Sequence, residues 1–191
     1  MQRKHRIFVA INLPDDIKRE LVKYHKKWLE LPAKWTNFNN LHITLEFLGD
    51  LTDEELGEVC VSVKEAVVKH NSFNINLNKV LYGPPGLRSG QVPKMIWVMG
   101  DRPDELLSLK TDLQRFLLKT VRFAPEKRTS LLHVTLAKIR EWEWKKIEPE
   151  ERPEINENID FTFTVESIEV MESVLKRGGP EYTIIESYNL T

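Results

Sequence analysis

The sequence predicts an α+β fold made of two similar lobes, and a repeated five-residue pattern is the first reason. Leu-His-x-Thr-Leu occurs twice, once around His42 and once around His133. The alternation of aliphatic and polar residues in each copy is typical of a strand, in which successive side chains point to opposite faces. We therefore expect His42 and Thr44 to share one face of the first strand, and His133 and Thr135 to share one face of the second.

The second reason is the context of the two copies. A predicted strand and a predicted helix precede each one, so similar units cover residues 7–48 and residues 95–139. Phe8 to Ile96 is 88 residues and His42 to His133 is 91 residues, so a single offset nearly superposes the units. Two lobes related by a pseudo-two-fold axis would turn matching faces toward each other. We expect one two-lobed domain over residues 1–191, with both His-Thr pairs in a shared cleft.

The remaining elements follow from periodicity and from turn or capping residues. Helices are predicted after a cap at Asp15 or Asp16, with His25 on the inner stripe, after a capping box made by Thr52 and Glu55, and from Pro103. Strands are predicted, in chain order, at residues 6–13, 41–48, 73–81, 95–99, 131–139, 161–165, 168–174 and 182–190. The charged segment 141–158 is predicted as a surface connection with about one turn of helix.

Composition limits the classes of function. The 28 Lys and Arg residues nearly balance the 29 Asp and Glu residues, so no global charge marks a nucleic-acid or membrane binder. A single cysteine, Cys60, cannot form an internal disulfide, which is typical of a reducing compartment. The apolar run after the basic start is too short to span a membrane. We expect a cytoplasmic protein without a membrane partner, and a monomer because the cleft is complete within one chain.

Two His-Thr pairs on facing lobes suit acid-base chemistry at phosphorus. Imidazole titrates near neutral pH, so one histidine can be neutral while the other is protonated. In-line displacement at a phosphodiester needs its attacking and leaving oxygens on opposite sides of phosphorus, and the threonine hydroxyls can bind the non-bridging oxygens. This scheme requires no metal and no cofactor.

Other chemistries lack their motifs. The sequence contains no HExxH, no CxxC, no glycine-rich phosphate loop and no GxSxG elbow. A single His beside a Thr is usually structural, but two copies in matching frames favour a shared site. Glu46 is predicted as an exposed charge on the face of His42. Lys138 is predicted on the core-facing side of its strand, so a substrate role would require a local bulge.

The residues quoted so far, together with both ends of the chain, carry a resemblance to a known family. The segments are Arg6 to Ile11, Leu41 to Gly49, His133 to Ala137, Glu172 to Leu175 and Gly179 to Thr183. They resemble the RNA 2′,3′-cyclic phosphodiesterases, formerly called 2′-5′ RNA ligases, of the 2H phosphoesterase superfamily. The resemblance implies two pseudo-symmetric lobes, each an antiparallel sheet with helices on its outer face, and a central cleft.

The resemblance also implies a reaction and roles. RNA ends that carry a 2′,3′-cyclic phosphate would be hydrolysed to 2′-phosphate ends without a metal, and the reverse reaction would join RNA through a 2′-5′ linkage. His42 would be the proton donor, His133 the proton acceptor, and Thr44 and Thr135 would bind the phosphate.

This chain departs from the family at two positions. Leu132 stands where the family commonly has proline, and Lys138 where it commonly has arginine; lysine lacks the planar bidentate donor of arginine. Two alternatives stay open, namely a 2H phosphoesterase for another cyclic nucleotide or small phosphodiester, and a non-catalytic module that binds RNA ends.

Overall fold

Among the residues that the computed structural model describes, nine strands form one strongly curled antiparallel sheet, which is accompanied by three long helices. The structure describes residues 4–86, 88, 91–125 and 131–191. The strands are β1 His5–Asn12, β2 Ala33–Trp35, β3 His42–Leu51, β4 Phe73–Gly83, β5 Met95–Gly100, β6 His133–Ile139, β7 Asn156–Val165, β8 Ser167–Lys176 and β9 Gly179–Asn189. The helices are α1 Asp15–Lys27, α2 Asp53–Val67, α3 Asp104–Thr120 and the single turn α4 Glu141–Trp144, with short 3-10 turns at Phe38–Asn40 and Pro149–Glu151.

The strand order is pseudo-symmetric about the centre of the sheet. It runs β7-β4-β5-β6-β3-β1-β8-β9, and β2 pairs with β6 beside this path. The two motif strands, β6 and β3, are therefore the central neighbours, and each half adds three further strands outward. The halves meet at one paired position, Ile43 with Val134. The predicted α+β fold with two pseudo-symmetric halves is confirmed, and the two sheets are joined edge to edge into one.

The predicted capping interaction is present at the start of α2 and absent at the start of α1. The capping box of α2 is confirmed, because Glu55 N donates to Thr52 Oγ1 at 3.3 Å and Thr52 N donates to Glu55 Oε2 at 2.8 Å. The predicted aspartate cap of α1 is wrong. Pro14 occupies the cap position without a side-chain hydrogen bond, and Asp15 is already helical.

The buried stripe of α1 also differs from the prediction. Ile17, Lys18, Leu21 and Tyr24 are buried, whereas His25 is exposed and stacks on Trp35 with ring centroids 5.2 Å apart. Spacing alone allowed either His25 or its neighbour Tyr24 to follow Leu21 on the inner face. The tyrosine is the residue that faces inward, and its hydroxyl donates to Glu157 Oε1 of the distant strand β7 at 3.2 Å.

Two segments contain more regular structure than the sequence predicted. Strand β3 continues past Gly49, because glycine can adopt the φ of +81° found there. At this point β3 contains one residue more than the paired part of β1, which produces a register shift between the two strands. The segment 141–158 contains α4 and the first residues of β7, and Trp144 within it is buried. No helix among the described residues is both long enough and apolar enough to cross a membrane.

Candidate active site

The two motif strands lie side by side at the centre of the sheet. Ile43 of β3 faces Val134 of β6 in antiparallel register, and both side chains are buried in the core. The same register places His42 opposite Thr135 and Thr44 opposite His133, all on the face away from that core. Directly opposite residues have Cβ atoms roughly 5 Å apart. The structure therefore brings together all four residues that the sequence singled out.

Both histidines are oriented in the same way. His42 Nδ1 lies 2.7 Å from the carbonyl oxygen of Asn40, and His133 Nδ1 lies 2.8 Å from that of Leu131. In each case the acceptor is the backbone two residues earlier, so Nδ1 carries the proton and donates it. This fixes the tautomer and leaves Nε2 for chemistry. His42 Nε2 lies 2.9 Å from Thr44 Oγ1.

His42 is enclosed by aromatic rings. Its ring centroid lies 5.0 Å from that of Phe8 and 5.1 Å from that of Tyr182, which it meets edge to face. Burial lowers the pKa of His42. The Asn40 carbonyl opposes this shift, whereas the positive charges of His133 and Lys18 add to it. The free protein therefore favours the neutral imidazole at this position.

Lys18 is a neighbour of His42 that sequence reasoning did not find. Its side chain is only 4% exposed, and its ammonium donates to Asn12 Oδ1 at 2.7 Å. Asn12 in turn faces His42 in the β1–β3 register. The sequence offered one sign of this, because an apolar helix stripe that contains a lysine must provide a polar partner for it.

Asn40 ties the last strand to the site. Its side-chain amide donates to the Pro180 carbonyl at 2.7 Å and accepts from Tyr182 N at 3.3 Å, at the beginning of β9. The same residue accepts from His42 through its backbone. Asn40 therefore positions both the imidazole and the Tyr182 ring that packs on it. Its place two residues before the first histidine was visible in the sequence, but its contact with β9 was not.

His133 is supported by a tryptophan. The rings of Trp97 and His133 stack with centroids 3.8 Å apart and an interplanar angle of 21°. On the other side, the Trp97 ring lies against Gly83, where an added Cβ would sit 2.3 Å from Cδ2 of Trp97. Glycine is thus required at residue 83 for this close approach. The imidazole orientation depends on a ring held by the backbone of β4.

A bulge in β6 corrects the prediction for Lys138. Trp97 pairs with Thr135 and Ile96 pairs with Ala137, so Leu136 is an extra residue in the ladder. Leu136 and Ala137 are consequently both buried, and Lys138 points to the exposed face shared by Thr135. The required bulge is present, and the predicted core-facing direction of Lys138 is wrong.

The pseudo-symmetric bulge in β3 corrects the prediction for Glu46. Ala10 pairs with Thr44 and Val9 with Glu46, so Leu45 is the extra residue. Glu46 therefore turns to the helix side, where it is only 3% exposed and accepts from the side chain of Gln114. Lys110 Nζ lies 3.6 Å from it. Phe47 takes the corresponding place on the motif face, which is the face of the sheet that carries His42, Thr44, His133 and Thr135. The Phe47 side chain is 63% exposed.

No set of three or more His, Cys, Asp or Glu side chains that could hold a metal ion occurs within the described ranges. The histidines, threonines and lysines at the motif face can instead bind an anion through hydrogen bonds and charge.

Comparisons with known proteins show what this chain is similar to in sequence and in fold. A family model described as LigT like Phosphoesterase matches residues 11–92. A relative from Aquifex aeolicus named RNA 2′,3′-cyclic phosphodiesterase is 26% identical over 170 residues, covering 85% of this chain and 84% of the relative. A relative of the same name from Methanocaldococcus jannaschii is 26% identical over 189 residues, covering 96% of this chain and 99% of the relative. The crystal structure of E. coli LigT complexed with 3′-AMP has the same fold, with a TM-score of 0.77, 22% identity and 99% of each chain covered.

Proposed function

We propose that this chain, which carries a LigT-like phosphoesterase domain of the 2H phosphoesterase type, hydrolyses the 2′,3′-cyclic phosphate at an RNA end to a 2′-phosphate. The observation that supports this most directly is the pairing of β3 with β6 at Ile43 and Val134. This pairing supports the proposal because antiparallel register would bring both imidazoles and both hydroxyls to one face of the sheet, where they could bind one phosphate. The substrate class follows from the names of the relatives.

In the proposed reaction, water attacks phosphorus and the bond from phosphorus to the 3′ oxygen breaks. His133 Nε2 accepts the proton of the attacking water, because its Nδ1 already donates to the Leu131 carbonyl. His42 Nε2 delivers a proton to the leaving 3′ oxygen, with its Nδ1 held by Asn40. The product is a 2′-phosphate beside a 3′-hydroxyl, and proton exchange with solvent resets both imidazoles.

The two threonines complete the site. Thr44 Oγ1 and Thr135 Oγ1 would donate to the non-bridging oxygens, where negative charge is largest in the transition state. Lys138, brought to this face by the β6 bulge, adds positive charge at the end next to Thr135. The same arrangement run in reverse would join a cyclic phosphate end to a 5′-hydroxyl and give a 2′-5′ linkage.

The protonation state of His42 would change when the substrate binds. Burial lowers the pKa of His42 in the free protein, yet a proton donor must be charged before it acts. A bound phosphate monoanion favours the imidazolium form through its charge and so raises this pKa. Substrate binding would therefore protonate the donor at the moment when it is needed. We take the chain to act as a monomer, as one two-lobed domain over residues 1–191 in the cytoplasm.

One assay distinguishes this proposal from the two alternatives. The protein is incubated in chelator with a cyclic-ended RNA and with 2′,3′-cyclic mononucleotides, and the position of the product phosphate is determined. A 2′-phosphate product from RNA supports the proposal. Turnover of the small cyclic nucleotides alone would indicate a phosphoesterase for another substrate. An absence of all turnover would leave a module that binds RNA ends.

Removing either imidazole tests the assigned roles. We expect His42→Ala and His133→Ala each to lower kcat by at least about 10²-fold, the usual contribution of a general acid or base. His25→Ala is a matched control, because His25 is an exposed histidine that stacks on Trp35 of β2. A variant at either site position with nearly full activity would remove that residue from the mechanism.

A further inference from the structure

We propose that Lys34, together with Lys138, forms a second anion subsite that binds the phosphate on the 5′ side of the terminal nucleotide of an RNA strand. This inference rests on the proposed function and extends it to the part of the substrate beyond the cyclic end. It concerns the short strand β2, which is not among the strands predicted from the sequence.

The register places the two lysines side by side. Lys34 of β2 pairs directly with Lys138 of β6. On the opposite edge of β6, Lys138 pairs with Met95 and Thr135 with Trp97, so Lys138 lies two residues of β5 beyond Thr135 on the same face. Two residues correspond to roughly 7 Å along a strand. The pair is thus displaced by about one pleat repeat from the threonine that would hold the cyclic phosphate.

Among the residues that the structure describes, no carboxylate accounts for the charges of this pair. Both side chains are exposed, and neither forms an ion pair within 4.0 Å with a carboxylate of the part of the chain that the structure describes. Like charges directly opposite each other in a sheet are destabilising. A bound phosphate would remove this repulsion, because it can accept hydrogen bonds from both ammonium groups.

The two ends of the motif face differ in a way that orients a strand of RNA. Beyond Thr135 and His42 the face ends in Lys138 and Lys34, whereas the pseudo-symmetric position beyond Thr44 is the exposed ring of Phe47. In the proposed reaction His42 protonates the 3′ oxygen of the terminal ribose, so that ribose lies on the side of His42. The rest of the strand, with its next phosphate, then continues toward the lysines.

The beginning of β9 forms a wall beside this position. A Cβ added to Gly179 would lie 2.6 Å from Lys34 Nζ, so the lysine side chain runs directly along the backbone of β9. Asn40 holds the neighbouring Pro180 carbonyl at 2.7 Å. The ammonium of Lys34 therefore lies against β9, while the backbone of Lys34 pairs with that of Lys138.

The test compares two substrates that differ by one phosphate. These are a 2′,3′-cyclic mononucleotide with a free 5′-hydroxyl and the same nucleotide with a 5′-phosphate. We expect Lys34→Gln to raise KM for the 5′-phosphorylated substrate by about three- to fivefold, the scale of an exposed ion pair, and to leave kcat and KM for the other substrate unchanged. On a cyclic-ended oligonucleotide, the slope of log KM against log salt should fall by about 0.7, the value for one single-strand phosphate contact.

Matched variants separate charge from structure. Lys34→Arg should keep the preference for the 5′-phosphate, and Lys64→Gln, at an exposed lysine on α2, should behave as the wild type. If Lys34→Gln raises KM for both substrates equally, or for neither, the subsite is refuted.

A binding measurement keeps this result separate from the catalytic proposal. If the wild type turns over neither substrate, the proposed reaction is wrong, and calorimetry with adenosine 3′-monophosphate and adenosine 3′,5′-bisphosphate then decides the subsite. Tighter binding of the bisphosphate that Lys34→Gln abolishes supports it. Equal affinity of the wild type for the two nucleotides overturns it.

Discussion

Replacing Gly83 by alanine should displace His133, the proposed general base, without touching it. The new Cβ would lie 2.3 Å from Cδ2 and 2.5 Å from Cγ of Trp97. Carbon atoms in ordinary contact are about 3.5 to 4.0 Å apart, so the indole must move by about 1 Å or more. His133 stacks on the other side of that indole at 3.8 Å and must move with it.

The magnitude follows from the positional tolerance of catalysis. A misplacement of about 1 Å at a reacting group can cost about 10²-fold in rate. We therefore expect Gly83→Ala to lower kcat for a 2′,3′-cyclic mononucleotide by roughly 10²-fold while the protein stays folded. The assay is steady-state hydrolysis, with thermal unfolding measured on the same preparation.

Two controls make the prediction specific. Gly57→Ala, on α2, adds a Cβ with no atom within 4 Å and should keep full activity, since alanine favours a helix over glycine. Trp97→Leu removes the indole that clashes, so Gly83→Ala should cost far less in that background than alone. Two results would refute the displacement of His133: a folded Gly83→Ala variant with kcat within about threefold of the wild type, or an equal effect of Gly83→Ala with and without the indole.

Two further predictions concern titration. Burial lowers the pKa of His42, whereas an anion beside the ring raises it. The pKa of His42 should therefore lie below the ordinary 6.5 in the free protein and should rise when inorganic phosphate binds. NMR of the imidazole measures both values, and a pKa that phosphate leaves unchanged would contradict the proposed protonation of the donor. His5 behaves oppositely, because hydrogen bonds from its ring to Glu172 and Asp53 raise its pKa. Its contribution to the free energy of unfolding is full below about pH 6.5 and is lost as the pH rises through the folded pKa. Urea unfolding of His5→Gln should therefore show a larger stability deficit near pH 6 than near pH 9, and an equal deficit at both would contradict the ion-pair account.

Local signals in the sequence identified much of the fold. The capping box of Thr52 and Glu55 requires only residues three apart, and it forms as predicted. The cap and inner stripe of α1 were wrong because several residues satisfied the same local rule. Tyr24 rather than His25 faces inward, and it donates to Glu157 of β7, a partner that the helix sequence alone does not reveal.

The bulges show where local alternation stops being sufficient. A strict period of two placed Glu46 on the face of His42 and Lys138 in the core. One extra residue in each motif strand, Leu45 in β3 and Leu136 in β6, reverses both directions. A bulge depends on the register against a neighbouring strand, which lies far away in the sequence.

The sequence by itself determined which side chains could act together, because the alternation within each motif strand puts His42 beside Thr44 and His133 beside Thr135, and the repeat assigns both pairs to equivalent lobes. Only the tertiary structure decided what surrounds them: the Lys18 ammonium, the Asn40 tether to β9, the Trp97 support for His133 and the pair of Lys34 with Lys138. The physical reason is the range of the interactions. Alternation is a property of adjacent residues, whereas each of these contacts joins segments whose distance in space is set by sheet pairing and core packing, which no local pattern encodes.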